Sequence, residues 1–532
     1  MINVKTLNKA IALTQDGHFK EAEAFYLQLL KEEPDNSILL TAFGLFYINI
    51  KNFEKASEYL ERACQIQETL GTVSALGFSE FEQAKYEKSA EILEHALIYG
   101  ENPDIYNKLI ISLFQIKHYK KAIDYSAKMY QKYPQNTDAI AHMVKSLTQS
   151  GQLMEAEKLC VEYLKDHPQS ASLWFHLGFL KELIYCNDKQ ACECYKMALE
   201  NGTKEAYYNI AVSYQKQGFY DKAETYYSKM LEIFPKSNDT ITSFGMCKLA
   251  QKKFKEGYDL FFMRDKSSID KKSNNPWKPN ENWGKEVVVL CDQGFGDHIQ
   301  FIRYLPFLKE KIEKLYVASH PSLMELFQQN YPYCEFITYD EINPQMQSIR
   351  ITDLAYALNM DFDNIPYAEG YLKSDNSNIK SDKTKVGLCW EAGSAGIRTM
   401  INRTINIKLF EPVLNLPNIQ IYSFQLRDTL NGNEKYPQMI NLAKDFKNFS
   451  DTAKALKEMD VVISVDTSVA HLAGALGVKT FLMLPYSSDW RWFRDVKTTP
   501  WYKSVEIFRQ TDPISWEKPI EDIICKLKEY SL

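Results

Sequence analysis

No apolar run in this 532-residue chain reaches the length that a membrane-crossing helix needs, so no stable membrane insertion is expected. An excess of charge is also missing. The 63 Lys and Arg against 69 Asp and Glu leave a formal net charge of −6, which excludes a general nucleic-acid or membrane-surface binder. Cysteine is present but unorganised: ten Cys are scattered without the paired spacing of a zinc site. Cys186, Cys192 and Cys194 come closest to a cluster, yet neighbours two apart on a helix do not face each other. Buried free thiols in a reducing cytoplasm are therefore expected. Met1-Ile-Asn-Val-Lys5 lacks the charged-then-apolar layout of a secretory leader.

What the chain does have is a repeat. Ala22, Ala56, Ala122, Ala156 and Ala223 recur with a period near 34, and Ser89 fills the gap in the series. Pro34, Pro134, Pro168 and Pro235 fall at the ends of units, and Gly17, Gly151 and Gly218 fall in turns between paired helices. Period and pattern resemble the tetratricopeptide repeat. Small Ala lets two antiparallel helices approach, Pro stops the second, and each pair exposes an apolar face that only its neighbour covers. About eight units are expected over residues 1–264, the sixth out of register at Ala191 and Ala198, the eighth an adaptor with Gly257 at the Ala position. Such an array offers a surface for a protein; a purely structural or oligomerising solenoid is the other reading, and an oligomer is compatible with either.

The rest of the chain changes character. Residues 265–285 are rich in Lys, Ser and Asn, contain Pro276 and Pro279, and read as a linker pinned by Trp277 and Trp283. Val287-Val-Val-Leu-Cys291 reads as a buried strand, Asp292-Gln-Gly-Phe-Gly-Asp297 as a glycine turn and His298–Lys311 as a helix. Further strands are expected near Leu315–Ser319, Glu335–Thr338, Lys385–Trp390, Ile419–Gln425, Val461–Val465 and Thr480–Leu484, with helices at Pro321–Gln329 and Trp516–Tyr530. This alternation predicts parallel sheets covered by helices, in two Rossmann-like units at 286–380 and 381–532. The stretch Asp460–Gly477 organises the second unit. A β-branched strand runs into Asp466-Thr467-Ser468, which opens a helix through His471. A helix N-terminus outside a strand's carboxyl end suits an anion such as a phosphate; a capped structural turn with a satisfied histidine is the bland alternative.

Asp292-Gln-Gly-Phe-Gly-Asp-His-Ile-Gln-Phe-Ile-Arg-Tyr-Leu-Pro306 resembles the opening motif of bacterial tetratricopeptide-linked glycosyltransferases. Their catalytic half is similar to the ADP-heptose:lipopolysaccharide heptosyltransferase family. Gly387–Gly393, Arg403–Ile405, Tyr422–Gln425, Asp489–Trp492, Pro500–Tyr502 and Phe508–Gln510 match in order. The resemblance implies a GT-B fold and an inverting enzyme that needs no metal or other cofactor. It would move a sugar from a nucleotide-sugar donor to a protein held by the repeats, such as flagellin or another bacterial surface protein. A lipopolysaccharide or glycan acceptor, and a non-enzymatic scaffold with a degenerate transferase domain, are the alternatives. Asp361-Phe-Asp363 suits a turn rather than a metal.

Inverting transfer needs a base for the acceptor and a partner for the departing diphosphate. The resemblance assigns the base to Asp297, for which a helix cap is the other role. Gly294 and Gly296 would bring backbone close to the donor. Thr467, Ser468 and His471 would face its phosphates or ribose, Asp466 its hydroxyl groups or the turn itself, Gln425 its base, and Arg403 its phosphates. His298, Trp390, Arg398 and Arg491 are further candidates, with domain packing as the other role for Arg491.

Overall fold

A computed structural model describes residues 4–265, 267–393 and 403–530. It divides into two compact units, Met1–Tyr185 with Gln190–Ala206, and Cys186–Lys189 with Tyr207–Leu532.

The first unit is all helix, an array of paired helices from Val4–Gln15 onward. The small residues of the 34-residue series explain the pairing. Ala22, Ala56, Ser89, Ala122 and Ala156 are wholly buried. Ser89 satisfies its hydroxyl by donating to the Gly77 carbonyl at 2.9 Å. On the facing helices a Cβ at Gly44 would lie 2.5 Å from Leu60, and one at Gly77 equally close to Leu93, so the pairs could not close over a larger residue. The turn inside each pair needs one left-handed residue. Gly17 and Gly151 supply it without strain, while Lys51, Ala84 and Lys117 adopt the same conformation. Asn36, Asn52, Asn102 and Asn136 cap the helices that follow them. Separate apolar clusters succeed one another along the array, as expected when each repeat meets only its neighbours.

The second unit begins inside the repeats. Helices Ala206–Gln217, Tyr220–Ile233, Asn238–Ala250 and Phe254–Phe262 share it with everything that follows. The sequence pattern changes near residue 264, but packing divides the chain near 206. Tyr258, on the last of these helices, is buried and stacked on Tyr356 at 5.9 Å. The linker also packs: Trp277 stacks on Trp283 at 5.2 Å and donates its backbone N–H to the Ser348 carbonyl at 2.7 Å.

Among the described residues, ten parallel strands follow in two sheets. Strands β1 (Glu286–Leu290), β2 (Lys314–Ala318), β3 (Glu335–Ile337) and β4 (Gln347–Arg350) form a four-stranded sheet in the order β3-β2-β1-β4. Strands β5 (Thr384–Cys389), β6 (Ile419–Ser423), β7 (Ile440–Asn441), β8 (Val461–Val465), β9 (Thr480–Leu484) and β10 (Val505–Arg509) form a six-stranded sheet in the order β10-β9-β8-β5-β6-β7. Central strands β5, β8 and β9 are apolar and almost wholly buried, which made them legible. Edge strands β4, β7 and β10 were not expected, because Gln347, Ser348, Asn441 and Glu506 interrupt their apolar pattern. The helix expected at His298–Lys311 is three pieces: Phe295–Phe301, a 3-10 turn at Ile302–Tyr304, and Leu305–Lys309. Pro306 sits in the first turn of the third piece, where its missing N–H costs nothing.

Candidate functional site

In a parallel sheet the chain leaves a crevice where successive connections run in opposite directions from neighbouring strands. That point lies between β1 and β4 in the first sheet, and between β5 and β8 in the second. The turns after these strands line one cavity of about 800 Å³. Its wall includes Gln293–Asp297 after β1, Glu391–Gly393 after β5, and Asp466–Val469 with His471 after β8. Arg264, Arg403, Gln425, Arg427, Asp489 and Arg491 add to the polar lining.

The helix Ser468–Ala475 presents its N-terminus to this cavity, and no side chain caps it. Thr467, at the cap position, pairs its hydroxyl with Ser464 Oγ at 3.0 Å instead. Its first-turn N–H groups and Ser468 are therefore available to an anion. Arg403 approaches the same turn, with Nη1 3.4 Å from both the carboxylate and the carbonyl oxygen of Asp466. A backbone bond from Ile405 N to the Trp390 carbonyl at 2.9 Å ties the Arg403 segment to the end of β5. Burial pushes the Asp466 carboxyl above the usual carboxylate range, and Arg403 offsets part of that.

His471 is buried one turn into this helix. Its Nδ1 lies 2.9 Å from the Tyr502 hydroxyl, and its Nε2 lies 3.7 Å from Asp466. Burial, then Arg491, Arg303 and Arg403, hold its pKa well below the ordinary imidazole value, so the ring is neutral near pH 7. Arg303 is fully buried: it bonds the carbonyls of Gln300 and Trp501 at 2.8 Å and lies over Tyr371 and Tyr502.

Asp297 faces this turn and is already engaged. Its Oδ2 accepts the Gly294 N–H at 3.0 Å and so caps its own helix, Phe295–Phe301. Its Oδ1 meets Arg491 Nη2 at 2.7 Å. Arg491 also bonds Gln300 at 2.9 Å and Asp489 at 2.9 Å, so it cross-links residues that follow the two sheets. Asp297 thus caps its own helix while lining the cavity, and Arg491 packs the turns together while lining the same cavity.

Several residues serve other ends than those expected. A Cβ on Gly296 would sit 2.7 Å from His471 Cδ2, so that glycine admits the facing helix while its backbone lines the cavity. A Cβ on Gly294 would meet Asp297 Oδ2 at 3.5 Å, an ordinary contact. Gln425 spends its carbonyl oxygen on the N–H groups of Trp390 at 2.9 Å and Glu391 at 2.8 Å, and donates to the Glu391 carbonyl at 3.0 Å. It therefore joins β5 to β6 while lining the cavity. Trp390 is wholly buried in the core of the second sheet and does not line the cavity. His298 is buried too, outside the lining, and burial lowers its pKa. Arg398 lies outside the described residues. Asp361 caps a short turn by accepting the Asp363 N–H at 3.0 Å. Among the described residues no group of three or more His, Cys, Asp or Glu is placed to hold a metal ion. No described helix is long and apolar enough to cross a membrane.

Sequence reasoning missed Arg264. Its guanidinium is buried against Asp292 at 2.9 Å and Asp353 at 2.6 Å, and Thr352 bonds Asp292 at 3.0 Å. Burial works against the charge, but the two carboxylates outweigh it and keep Arg264 cationic. One signal was visible: Asp292 follows β1 much as Asp466 follows β8.

The comparisons with known proteins bear on the repeats. Models of the tetratricopeptide repeat match residues 39–70, 113–177 and 205–237. The chain therefore carries tetratricopeptide repeats, a protein-binding architecture. It is similar to Protein FlbA of Caulobacter vibrioides, 22% identical, with 76% of each protein covered. That share exceeds the 264 residues of the repeat pattern, so the likeness runs into the α/β region. Among solved structures, a tetratricopeptide repeat protein from Parabacteroides merdae matches at 15% identity and a TM-score of 0.38. It covers 46% of this chain and 97% of its own. PilF of Pseudomonas aeruginosa matches at 17% identity and a TM-score of 0.32, covering 38% of this chain and 94% of its own.

Proposed function

We propose that the α/β region is a GT-B glycosyltransferase that moves a sugar from a nucleotide-sugar donor to a protein held by the repeats. The supporting observation is the convergence of both sheets' switch points on one cavity, with Asp297 on one wall and an uncapped helix N-terminus on the other. The first-turn N–H groups of Ser468–Ala475, the Ser468 hydroxyl and Arg403 take the donor's diphosphate and hold the charge that develops on it. Asp297 takes the acceptor's proton; an oxygen that already accepts from Arg491 retains a second lone pair for it. Neutral His471 donates or accepts through Nε2 but brings no charge to the phosphates. No metal is required by this arrangement, because fixed donors carry the anion.

A non-enzymatic scaffold is the second reading, and the engagement of both Asp297 oxygens favours it. Incubation of the intact protein with nucleotides and nucleotide sugars separates the two. The transferase reading expects one nucleotide series to raise the melting temperature and its sugar donor to be slowly hydrolysed. Absence of stabilisation by every nucleotide tried would refute it. Asp297→Asn should keep donor stabilisation and lose turnover.

A further inference from the structure

A second cavity, of about 370 Å³, lies beside the first and shares Met246, Asp489 and Trp490 with it. One side comes from the last repeat helices, through Tyr208, Lys216 and Tyr220 among others, and the other from Tyr486–Ser488, Arg494 and Arg509. Its electrostatics are unbalanced. Among the described residues no carboxylate forms an ion pair with Arg494 or Arg509. Arg494 donates to the Lys216 carbonyl at 2.7 Å and lies 4.7 Å over the Tyr486 ring. Arg509 donates to the Trp492 carbonyl at 3.2 Å and to Ser488 and Phe493, and its Nε is buried with no partner. The nearby acids are committed or solvated: Asp188 pairs with Lys216 at 3.3 Å, Asp489 pairs with Arg491, and Asp495 is exposed. Burial and the neighbouring Arg494 depress the Arg509 pKa to about 10.

Two guanidinium groups drawn together in a pocket, without a carboxylate between them, repel each other and lose hydration. An incoming oxyanion relieves both, and the planar fork of Arg matches its paired oxygens. We propose that this cavity is an oxyanion subsite, which takes a carboxylate or phosphate group between Arg494 and Arg509. The tyrosine rings and the Ser487 and Ser488 hydroxyls receive the remainder of a small ligand. The subsite stands independently of what occupies the larger cavity.

Melting of the full chain in rising sodium phosphate, and separately in rising sodium malonate, tests this when NaCl holds ionic strength constant. At least one anion should raise the melting temperature saturably, and the responding arm identifies the oxyanion. Arg494→Gln should raise the half-saturating concentration roughly tenfold, about the contribution of one charge-assisted fork. Arg403→Gln, which alters only the larger cavity, should leave it in place. If Arg494→Gln does not fold, Arg494→Lys carries the test, with binding weakened severalfold by loss of the fork. The proposal is overturned by no saturable shift in either anion, by half-saturation that both Arg494 variants leave unchanged, or by a shift that Arg403→Gln abolishes.

Discussion

After β1 the chain places Asp292, and after β8 it places Asp466, each a buried acid at a switch point of its sheet. Their partners differ. Asp292 is closed off by Arg264 at 2.9 Å and Thr352 at 3.0 Å, and Arg264 is held by Asp353 as well. Asp466 has Arg403 at 3.4 Å and His471 at 3.7 Å, both long for hydrogen bonds. The first turn spends its charges on internal structure. The second keeps a guanidinium and a helix N-terminus underused at the wall of a cavity, and that surplus is what the proposed donor site would use.

The largest effect should come from breaking the closed turn. Arg264→Ala leaves Asp292 buried without its cation and Asp353 with Arg350 alone, at 2.6 Å, and stripping a buried acid of its cation typically costs about 3–5 kcal/mol. Urea denaturation should show a loss of that size, together with poor folding of the second unit. A loss below about 1 kcal/mol would mean that water reaches these carboxylates and that the two turns are alike.

How far the sequence revealed these turns follows from the kind of interaction involved. Period, Ala positions and turn residues are local, so the repeats were legible from spacing alone. Buried strands such as Val461–Val465 announce themselves in five consecutive residues. The glycine turn and the Asp466-Thr467-Ser468 turn were visible for the same reason. Arg264 was not, because its partners Asp292 and Asp353 lie 28 and 89 positions away in a folded core. Gly296 was singled out, but its need for space beside His471 was not legible, because only the packing of two helices reveals it. Gln425 was singled out at a strand end, but the bonds its amide makes to backbone groups after the adjacent strand could not be read from sequence.

The open turn should show itself in its response to acid. His471 is neutral in the folded state because its folded pKa lies well below the ordinary value, while the unfolded chain binds a proton near pH 6.5. The unfolded state therefore holds more protons below that pH, so this contribution is intact above pH 6.5 and declines as pH falls. One such group lowers stability by up to about 1.4 kcal/mol per pH unit. His471→Gln should reduce the fall in stability between pH 7 and pH 5 by about that slope. An unchanged pH profile would place solvent or a compensating charge beside the ring. Other histidines, such as half-buried His176 with a pKa lowered to about 4 by desolvation, remain in both proteins and cancel in the difference.

The smallest effect on stability belongs to Arg403, and its smallness matters. Its side chain is about one-third exposed and reaches the buried Asp466 carboxylate only at 3.4 Å, so the pair is long and screened at its cationic end. Such pairs contribute roughly 0–1 kcal/mol. Arg403→Gln should lower unfolding free energy by less than about 1 kcal/mol and keep the fold, while sharply reducing any stabilisation by a nucleotide diphosphate. A loss comparable to that of Arg264→Ala would make the second turn as closed as the first and leave its guanidinium nothing to offer a ligand. A silent variant in both measurements would move the anion onto the helix N–H groups alone. The contrast between stability and ligand response at Arg403 therefore tests the difference between the turns more directly than either measurement by itself.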